Sequence, residues 1–173
     1  MTAEYTFKCI IIGPAGVGKT SLMRRFVENQ FSLTYKFTIG VDFLIKKVEF
    51  EKGRLAKLSI WDVGGQERFK SLRRSFYKGT DGALLVFDLS RANTFYKLKD
   101  WLTDMSSIIQ KKIPIVIIGN KTDLIPEIGE VINRNEPKQF AEREESIYIE
   151  TSAKTGDNVE KAFSELTQRM IKH

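Results

Sequence analysis

Nine consecutive residues, Gly13-Pro14-Ala15-Gly16-Val17-Gly18-Lys19-Thr20-Ser21, combine three glycines with an ammonium and two hydroxyls. They fit the pattern G-x-x-x-x-G-K-[ST] at Gly13, Gly18, Lys19 and Thr20, directly after the β-branched run Ile10-Ile11-Ile12 and ahead of a helical stretch. The chemistry this suits is the holding of a polyphosphate. Glycines let the backbone turn successive N–H groups inward as an anion nest, and a helix starting near Gly18 aims its positive end at the same point. Lys19 adds a point charge for β- and γ-phosphates, and Thr20 a hydroxyl for Mg2+. Kinases, ATPases and GTPases all use such a cradle, so by itself it identifies neither the base nor the reaction.

Three further stretches narrow the choice. Asn120-Lys121-Thr122-Asp123 follows the apolar run 115–118, just past the carboxyl end of an expected parallel strand, where ligands bind in open α/β sheets. A carboxylate at Asp123 can accept from guanine N1–H and the 2-amino group together, a donor pair adenine lacks; taken alone, the tetrapeptide has a plain Asx-rich turn as its alternative. Ser152-Ala153-Lys154 follows the last expected strand at the same edge and can close the base pocket with backbone N–H groups. In Trp61-Asp62-Val63-Gly64-Gly65-Gln66, Asp62 is positioned to hold Mg2+ through water, the Gly65 N–H to approach a γ-phosphate, and Gln66 to orient an attacking water. A simple turn is the alternative for Gly64-Gly65. Thr38, within "YKFTIG", offers the cation a second hydroxyl.

These groups need a frame. Apolar runs at 7–12, 83–89, 113–118 and 147–149 are rich in Val and Ile and read as buried parallel strands. Strand-like segments at 41–50 and 54–61, joined by "EKG", predict a hairpin with one antiparallel edge strand. Phe95, Leu98, Leu102, Met105 and Ile109 share one helical face, and closing helices are expected at 136–144, with Pro137 in its first turn, and at 157–170, capped by Asp157 or Asn158. The expected fold class is α/β: a three-layer sandwich on a mostly parallel six-stranded sheet.

Composition bounds the reading. A chain of 173 residues with 42% hydrophobic and 29% charged residues fits one domain, 1–173, and excludes disordered or fibrous classes. The single Cys9 lies in an apolar run, which excludes a disulfide framework and predicts a buried thiol in a reducing compartment. No apolar run approaches the ~20 residues of a membrane span. The start "MTAEYTFK" lacks signal-peptide and myristoylation features, and "QRMIKH" lacks a cysteine, so a C-terminal lipid anchor would need residues outside this chain. The net charge of +6 comes from scattered basic residues without an aromatic-plus-basic signature, so nucleic acid is not an expected partner.

With "TIGVDF" at 38–43, "WDVGGQERF" at 61–69, "NKTD" at 120–123 and "TSAK" at 151–154, the chain resembles a small GTPase of the Ras superfamily over essentially its whole length, the Rab branch most closely. The resemblance implies a P-loop NTPase sandwich with about five helices. It implies a molecular switch that hydrolyses GTP to GDP with Mg2+ and recruits effectors in its GTP state, as a cytoplasmic monomer at the cytosolic face of membranes in vesicle transport. Two loops, 30–40 and 62–77, would be held by Thr38 and Gly65 on the γ-phosphate and released on hydrolysis, and would meet effectors, exchange factors and activating proteins. Catalysis would rest on Gln66, Lys19, Thr38 and Gly65, and the metal on Thr20, Thr38 and Asp62. Gly13, Ala15, Gly16, Val17, Gly18, Lys19, Thr20 and Ser21 would surround the phosphates; Asn120, Lys121, Asp123, Leu124, Ser152, Ala153 and Lys154 would enclose the base. Phe31 would stack on the guanine edge and Tyr35 cover the phosphates, with a core position as the alternative for each.

The match has departures. Rab proteins usually read Thr-Ala where this chain has Val63-Gly64, and two adjacent glycines relax the hinge of the second loop. Ala15 puts a methyl beside the γ-phosphate, crowding an incoming activator. Just before Thr38, where heterotrimeric Gα subunits carry an arginine, stand Tyr35-Lys36-Phe37. Intrinsic turnover on the order of 10⁻⁴ to 10⁻³ per second is expected, with an arginine supplied by a partner. Arg68, Lys70, Arg73, Arg74 and Lys78 form a basic segment, read either as a solvated face or as a docking face for an acidic effector or an anionic membrane. A GTP-loaded adaptor with negligible hydrolysis is the alternative function; a nucleotide kinase is disfavoured, since no arginine-rich lid follows the phosphate loop.

Overall fold

The computed structural model describes residues 2–36 and 38–173; Met1 and Phe37 lie outside the described residues, so the first loop, 30–40, is described except at Phe37. Six strands form one sheet: β1 (Tyr5–Ile12), β2 (Val41–Glu51), β3 (Arg54–Val63), β4 (Gly82–Asp88), β5 (Ile115–Asn120) and β6 (Ile147–Thr151). Their order is β2-β3-β1-β4-β5-β6. All neighbours run parallel except β2 and β3, the hairpin expected from "EKG". Gly53 sits at its tip with φ 75°, a left-handed value that favours glycine.

The sheet is sandwiched because its central strands are apolar on both faces. Along β1, Cys9 and Ile11 enter one core while Ile10 and Ile12 enter the other. The same two-residue alternation sends Leu84 and Val86 of β4 one way and Ala83, Leu85 and Phe87 the other. The first core is closed by α1 (Lys19–Glu28) and α7 (Val159–Lys172), whose Phe26 and Phe163 rings stack at 4.0 Å. Cys9 is buried there, as expected. The second is closed by α3 (Ala92–Tyr96), α4 (Leu98–Ile108) and α6 (Asn135–Arg143), through Phe95, Leu98, Trp101, Leu102 and Phe140. Short helices α2 (Lys70–Arg74) and α5 (Ile125–Ile128) complete the set. Because only Lys97 separates α3 from α4, the expected five helices correspond to α1, α2, α3 with α4, α6 and α7.

Three local expectations shift. Strand β5 begins at Ile115 because Pro114 has no N–H for the ladder; its carbonyl still accepts from Ala83 N at 3.1 Å. The helical face 95–109 is broken at Lys97 and ends with Ile109 in extended conformation. Asn158 does occupy the N-cap position of α7, but its Nδ2 donates to the Glu150 carbonyl at 2.9 Å instead of capping the helix.

The chain leaves β1 toward β2 and β3 on one side and returns to β4 on the other. The carboxyl end of β1 is thus the point where the strand order reverses, the usual location of a ligand crevice. The loop 13–18, Asp62, Asp88, Asn120 and Thr151 all stand at that edge.

Candidate functional site

A cavity of about 960 Å3 opens at this edge, large enough for a nucleotide. One end is the loop between β1 and α1. Gly13, Gly16 and Gly18 all take positive φ, and a Cβ on Gly18 would lie 2.3 Å from Asn120 Nδ2, so only hydrogen fits there. Lys19 is 5% exposed and curls back over the loop, its Nζ donating to the Gly13 carbonyl at 2.8 Å and the Pro14 carbonyl at 2.9 Å. Burial pushes its ammonium down to about 8, against the pull of Asp62.

Next to it three oxygens converge. Thr20 Oγ1 and Thr38 Oγ1 are 2.7 Å apart, and both hydroxyls donate to Asp62 Oδ2, that of Thr38 at 3.2 Å. Asp62 is fully buried, and its Oδ1 has no hydrogen-bond partner among the described residues. Burial raises its pKa, with Lys19 and the two hydroxyls opposing. An orphaned buried carboxylate oxygen beside two hydroxyls is a donor set that fits a hard divalent cation such as Mg2+.

The second loop, 62–77, packs directly on the phosphate loop through Gly65 and on the loop 30–40 through Gly64. A Cβ on Gly65 would lie 2.5 Å from Ala15 N and 2.7 Å from the Gly13 carbonyl oxygen. Gly64 N donates to the Gly40 carbonyl at 2.8 Å, and a Cβ there would lie 2.8 Å from the Thr38 carbonyl. Gly64 therefore permits close approach of the segments 38–40 and 62–66. Gln66 borders the cavity, with its Oε1 accepting from Arg68 Nε at 2.8 Å.

The opposite end is built on Asn120. Its Nδ2 donates to the Val17 carbonyl at 3.0 Å, while its Oδ1 accepts from Thr151 Oγ1 at 2.9 Å and Ala153 N at 3.3 Å. Lys121, at φ 76°, reaches the Gly16 carbonyl at 2.8 Å and Asp88 Oδ2 at 2.9 Å. Ser152 Oγ donates to Asp123 Oδ1 at 2.8 Å and fixes the carboxylate at the cavity wall.

Most of the residues singled out from sequence line this one cavity: Ala15, Gly16, Gly18, Lys19, Thr20, Ser21, Phe31, Tyr35, Thr38, Asp62, Gly65, Gln66, Asn120, Lys121, Asp123, Leu124, Ala153 and Lys154. Gly13, Val17 and Ser152 stand behind it, Val17 with its side chain in the core and its carbonyl on Asn120. Phe31 at 36% and Tyr35 at 57% exposure are wall residues, not core aromatics.

Sequence reasoning missed several arginines. Arg25 ties α1 to the last loop through the carbonyls of Ala153 at 2.8 Å and Lys154 at 2.6 Å. Arg91 donates to the Ala15 carbonyl. Arg73 corrects the reading of 68–78 as one basic face: it is 3% exposed, lies 4.0 Å over the Trp101 ring and donates to the Gln66 carbonyl at 3.1 Å. An i, i+5 or i, i+6 charge pattern cannot reveal which cation turns inward onto an aromatic of another helix.

Comparison with known families decides the identity of this arrangement. The profile described as the Ras family matches residues 8–172. The chain belongs to the Ras family. Within it, Ras-related protein Rab-4B of Homo sapiens is 42% identical over 170 residues, covering 98% of this chain and 78% of that protein. Ras-related protein Rab-30 of Homo sapiens is 41% identical over 168 residues, covering 97% and 81%. Ras-related protein RIC2 of Oryza sativa subsp. japonica is 42% identical over 166 residues, covering 95% and 75%. This Ras-family chain is thus a Rab-branch small GTPase, with the α/β sandwich of that family. No helix among the described residues of this Ras-family chain is long and apolar enough to cross a membrane.

Proposed function

We propose that the chain, acting as one G domain over 1–173, is a GTP-driven switch in membrane trafficking that binds GTP and GDP with Mg2+ and hydrolyses GTP slowly. The observation that carries this reading is the oxygen cluster of Thr20, Thr38 and Asp62. Thr20 belongs to the first turn of α1, Asp62 to the end of β3, and Thr38 to the exposed loop 30–40, so whatever occupies the cluster controls that loop's anchorage. Bound Mg2+ would supply charge neutralisation for the β- and γ-phosphates.

The chain's own groups support the chemistry. Lys19 exchanges two loop carbonyls for phosphate oxygens, and the backbone N–H groups of 15–20 with the N-terminus of α1 hold the diphosphate. Gly65 lies against Ala15, so its N–H is within the rim that a terminal phosphate would reach. Gln66 orients a water whose oxygen bonds to the γ-phosphorus; the bond to the β–γ bridging oxygen breaks, its electron pair stays on the diphosphate, and the water's protons pass to phosphate and solvent. Gln66 must first leave Arg68. Asp123, steadied by Ser152, reads the guanine edge.

Partner recruitment is supported by a row of exposed apolar side chains beside the loops: Leu33, Ile39, Phe43, Ile45 and Leu72. Phe43 stacks on Trp61 at 4.9 Å, and Trp61 meets Phe76 at 5.9 Å, giving a firm aromatic floor next to the segment that GTP would order. Effectors, exchange factors and activating proteins would read this surface in its two states. Calorimetry with GTP, GDP and ATP tests the proposal: tight guanine-nucleotide binding that requires Mg2+ is expected, and equal affinity for ATP would overturn it.

The second reading, an adaptor that stays GTP-loaded, is favoured by one observation, the engagement of Gln66 Oε1 by Arg68. Single-turnover hydrolysis by the wild type and by Gln66→Leu separates the two, since only a hydrolysing protein slows on substitution.

A further inference from the structure

Arg91 stands on the outer rim of the phosphate loop, and none of the roles above uses it. Its backbone is pinned where α3 begins: its N–H donates to the Asp88 carbonyl at 3.0 Å, and its carbonyl accepts from Thr94 N at 3.0 Å and Thr94 Oγ1 at 2.7 Å. The side chain runs back to the site, Nε donating to Asp88 Oδ2 at 3.1 Å and Nη2 to the Ala15 carbonyl at 3.1 Å. Asp88 is 1% exposed and is itself held by Ser90 and Lys121. The guanidinium is thus tethered at its inner end to a buried carboxylate, while the side chain as a whole is 45% exposed.

Two further features surround that outer end. A Cβ on Gly16 would lie 3.2 Å from Arg91 Nη2 and 3.4 Å from Tyr35 Oη, so the two side chains converge over the same point of the loop. Arg91 also borders a second cleft of about 630 Å3, which meets the nucleotide cavity at Ala15, Gly65 and Gln66.

We propose that Arg91 distinguishes triphosphate from diphosphate in this chain: with a terminal phosphate bound, its Nη end exchanges the Ala15 carbonyl for a phosphate oxygen and closes the rim together with Tyr35. The inference rests on the GTP-switch reading. A guanidinium–phosphate bond is charge-assisted and roughly twice as strong as one to a neutral carbonyl, and the rigid guanidinium plane can pivot as a unit about its Nε–H bond to Asp88, swinging the Nη end off Ala15. Arg91's charge already reaches the neighbours it would work with: burial lowers the pKa of Lys19 and Arg91 adds to that, while burial raises the pKa of Tyr35 and Arg91 opposes it. A diphosphate lacks the group that draws the arginine off Ala15. This role is distinct from that of the rate-enhancing arginine expected from a partner: Arg91, in the turn after β4, senses the terminal phosphate.

Calorimetry on the full chain with Mg2+, GDP and the non-hydrolysable β,γ-imido analogue of GTP tests this. Arg91→Gln is expected to lower the ratio of analogue to GDP affinity by about tenfold while GDP affinity stays within about twofold of wild type. Arg91→Lys, with charge but no fork, is expected to fall between the two, and keeps the test available should Arg91→Gln not fold. Lys97→Gln, in the same cleft but not on Ala15, is expected to leave the ratio unchanged. Parallel weakening of both nucleotides would mark Arg91 as a structural brace and overturn the proposal, as would an unchanged ratio in both Arg91 variants. A wild type that binds no guanine nucleotide would sink the GTP-switch reading and this inference with it.

Discussion

Asn120 Nδ2 donates to the Val17 carbonyl at 3.0 Å, joining residues 103 apart in the chain and coupling the end of β5 to the phosphate loop. The corner proposed to hold the base and the phosphate loop are therefore one mechanical unit. Asn120→Ala removes this bond and orphans Thr151 Oγ1 and the buried neighbourhood of Ala153. A loss of about 2–3 kcal/mol in unfolding free energy is expected, together with at least tenfold weaker GDP binding. Gly18→Ala should weaken nucleotide binding similarly, because its methyl would collide with Nδ2. Urea titration and calorimetry read the two effects.

Asp123→Asn tests base recognition. The change exchanges an acceptor for a donor while Ser152 Oγ can still bond the amide oxygen. GTP affinity should fall by about a hundredfold or more, as expected when charged hydrogen bonds are lost, and xanthosine triphosphate, whose 2-oxo group accepts, should gain. Competition between the two nucleotides measures the switch directly.

Chelation probes the cation cluster. Adding EDTA to the GDP-loaded protein should speed GDP release by about tenfold or more, equivalent to losing at least 1.4 kcal/mol of cation–phosphate attraction. In Thr20→Ala, whose hydroxyl no longer joins Thr38 and Asp62, release should already be fast and respond little to EDTA. Stopped-flow fluorescence of a labelled GDP reads both.

Gly64→Ala tests the contact between the two loops. The added methyl would lie 2.8 Å from the Thr38 carbonyl and 2.9 Å from the Gly40 carbonyl, so the segment 38–40 must move away. Overpacking of this kind costs about 1–3 kcal/mol, and the nucleotide-free protein should lose stability by that amount in urea. A neutral result would mean that the loops already separate in solution.

Tyr77 gives a pH dependence with a definite sign. Burial pushes its phenol up to about 12, whereas an unfolded tyrosine ionises near 10. Between these values the folded chain retains a proton that the unfolded chain has released, so this contribution to stability is complete below about pH 10 and is lost as pH rises toward 12. Urea midpoints across that window should fall in the wild type more steeply than in Tyr77→Phe, with absorbance at 295 nm following the ionisation.

What sequence revealed and what it hid divide along a physical line. The phosphate loop, the "EKG" hairpin and the buried run of β4 were legible because each is specified by neighbours a few residues apart: glycines at fixed spacing, a turn, an unbroken apolar stretch. Asn120 and Asp123 were legible as members of the cavity at the carboxyl edge of the sheet, but the role of Asn120 as a brace between β5, β6 and the phosphate loop was not, because its partners at Val17 and Thr151 are distant in the chain. Arginine was the least legible residue. Arg25, Arg73 and Arg91 look alike in sequence, yet one ties a loop, one lies buried on Trp101 and one reaches Ala15, and only the packing of separate helices and turns tells them apart. The break at Lys97 and the bond of Asn158 to Glu150 were hidden for the same reason.

The eleven residues of β2 end the sheet on one side, so the outward backbone groups of that strand meet no further ladder among the described residues. A rim of that length invites a stranger strand to dock, and in crowded surroundings the stranger is usually another copy of the same molecule. Toward the hairpin, exposed Lys47 and Glu49 and an irregular register between Glu49 and Glu51 discourage this; near Phe43 and Ile45 the nearest deterrent is Asp42. Any protein that covers Phe43 and Ile45 therefore does a second service, guarding the chain against association with its own kind.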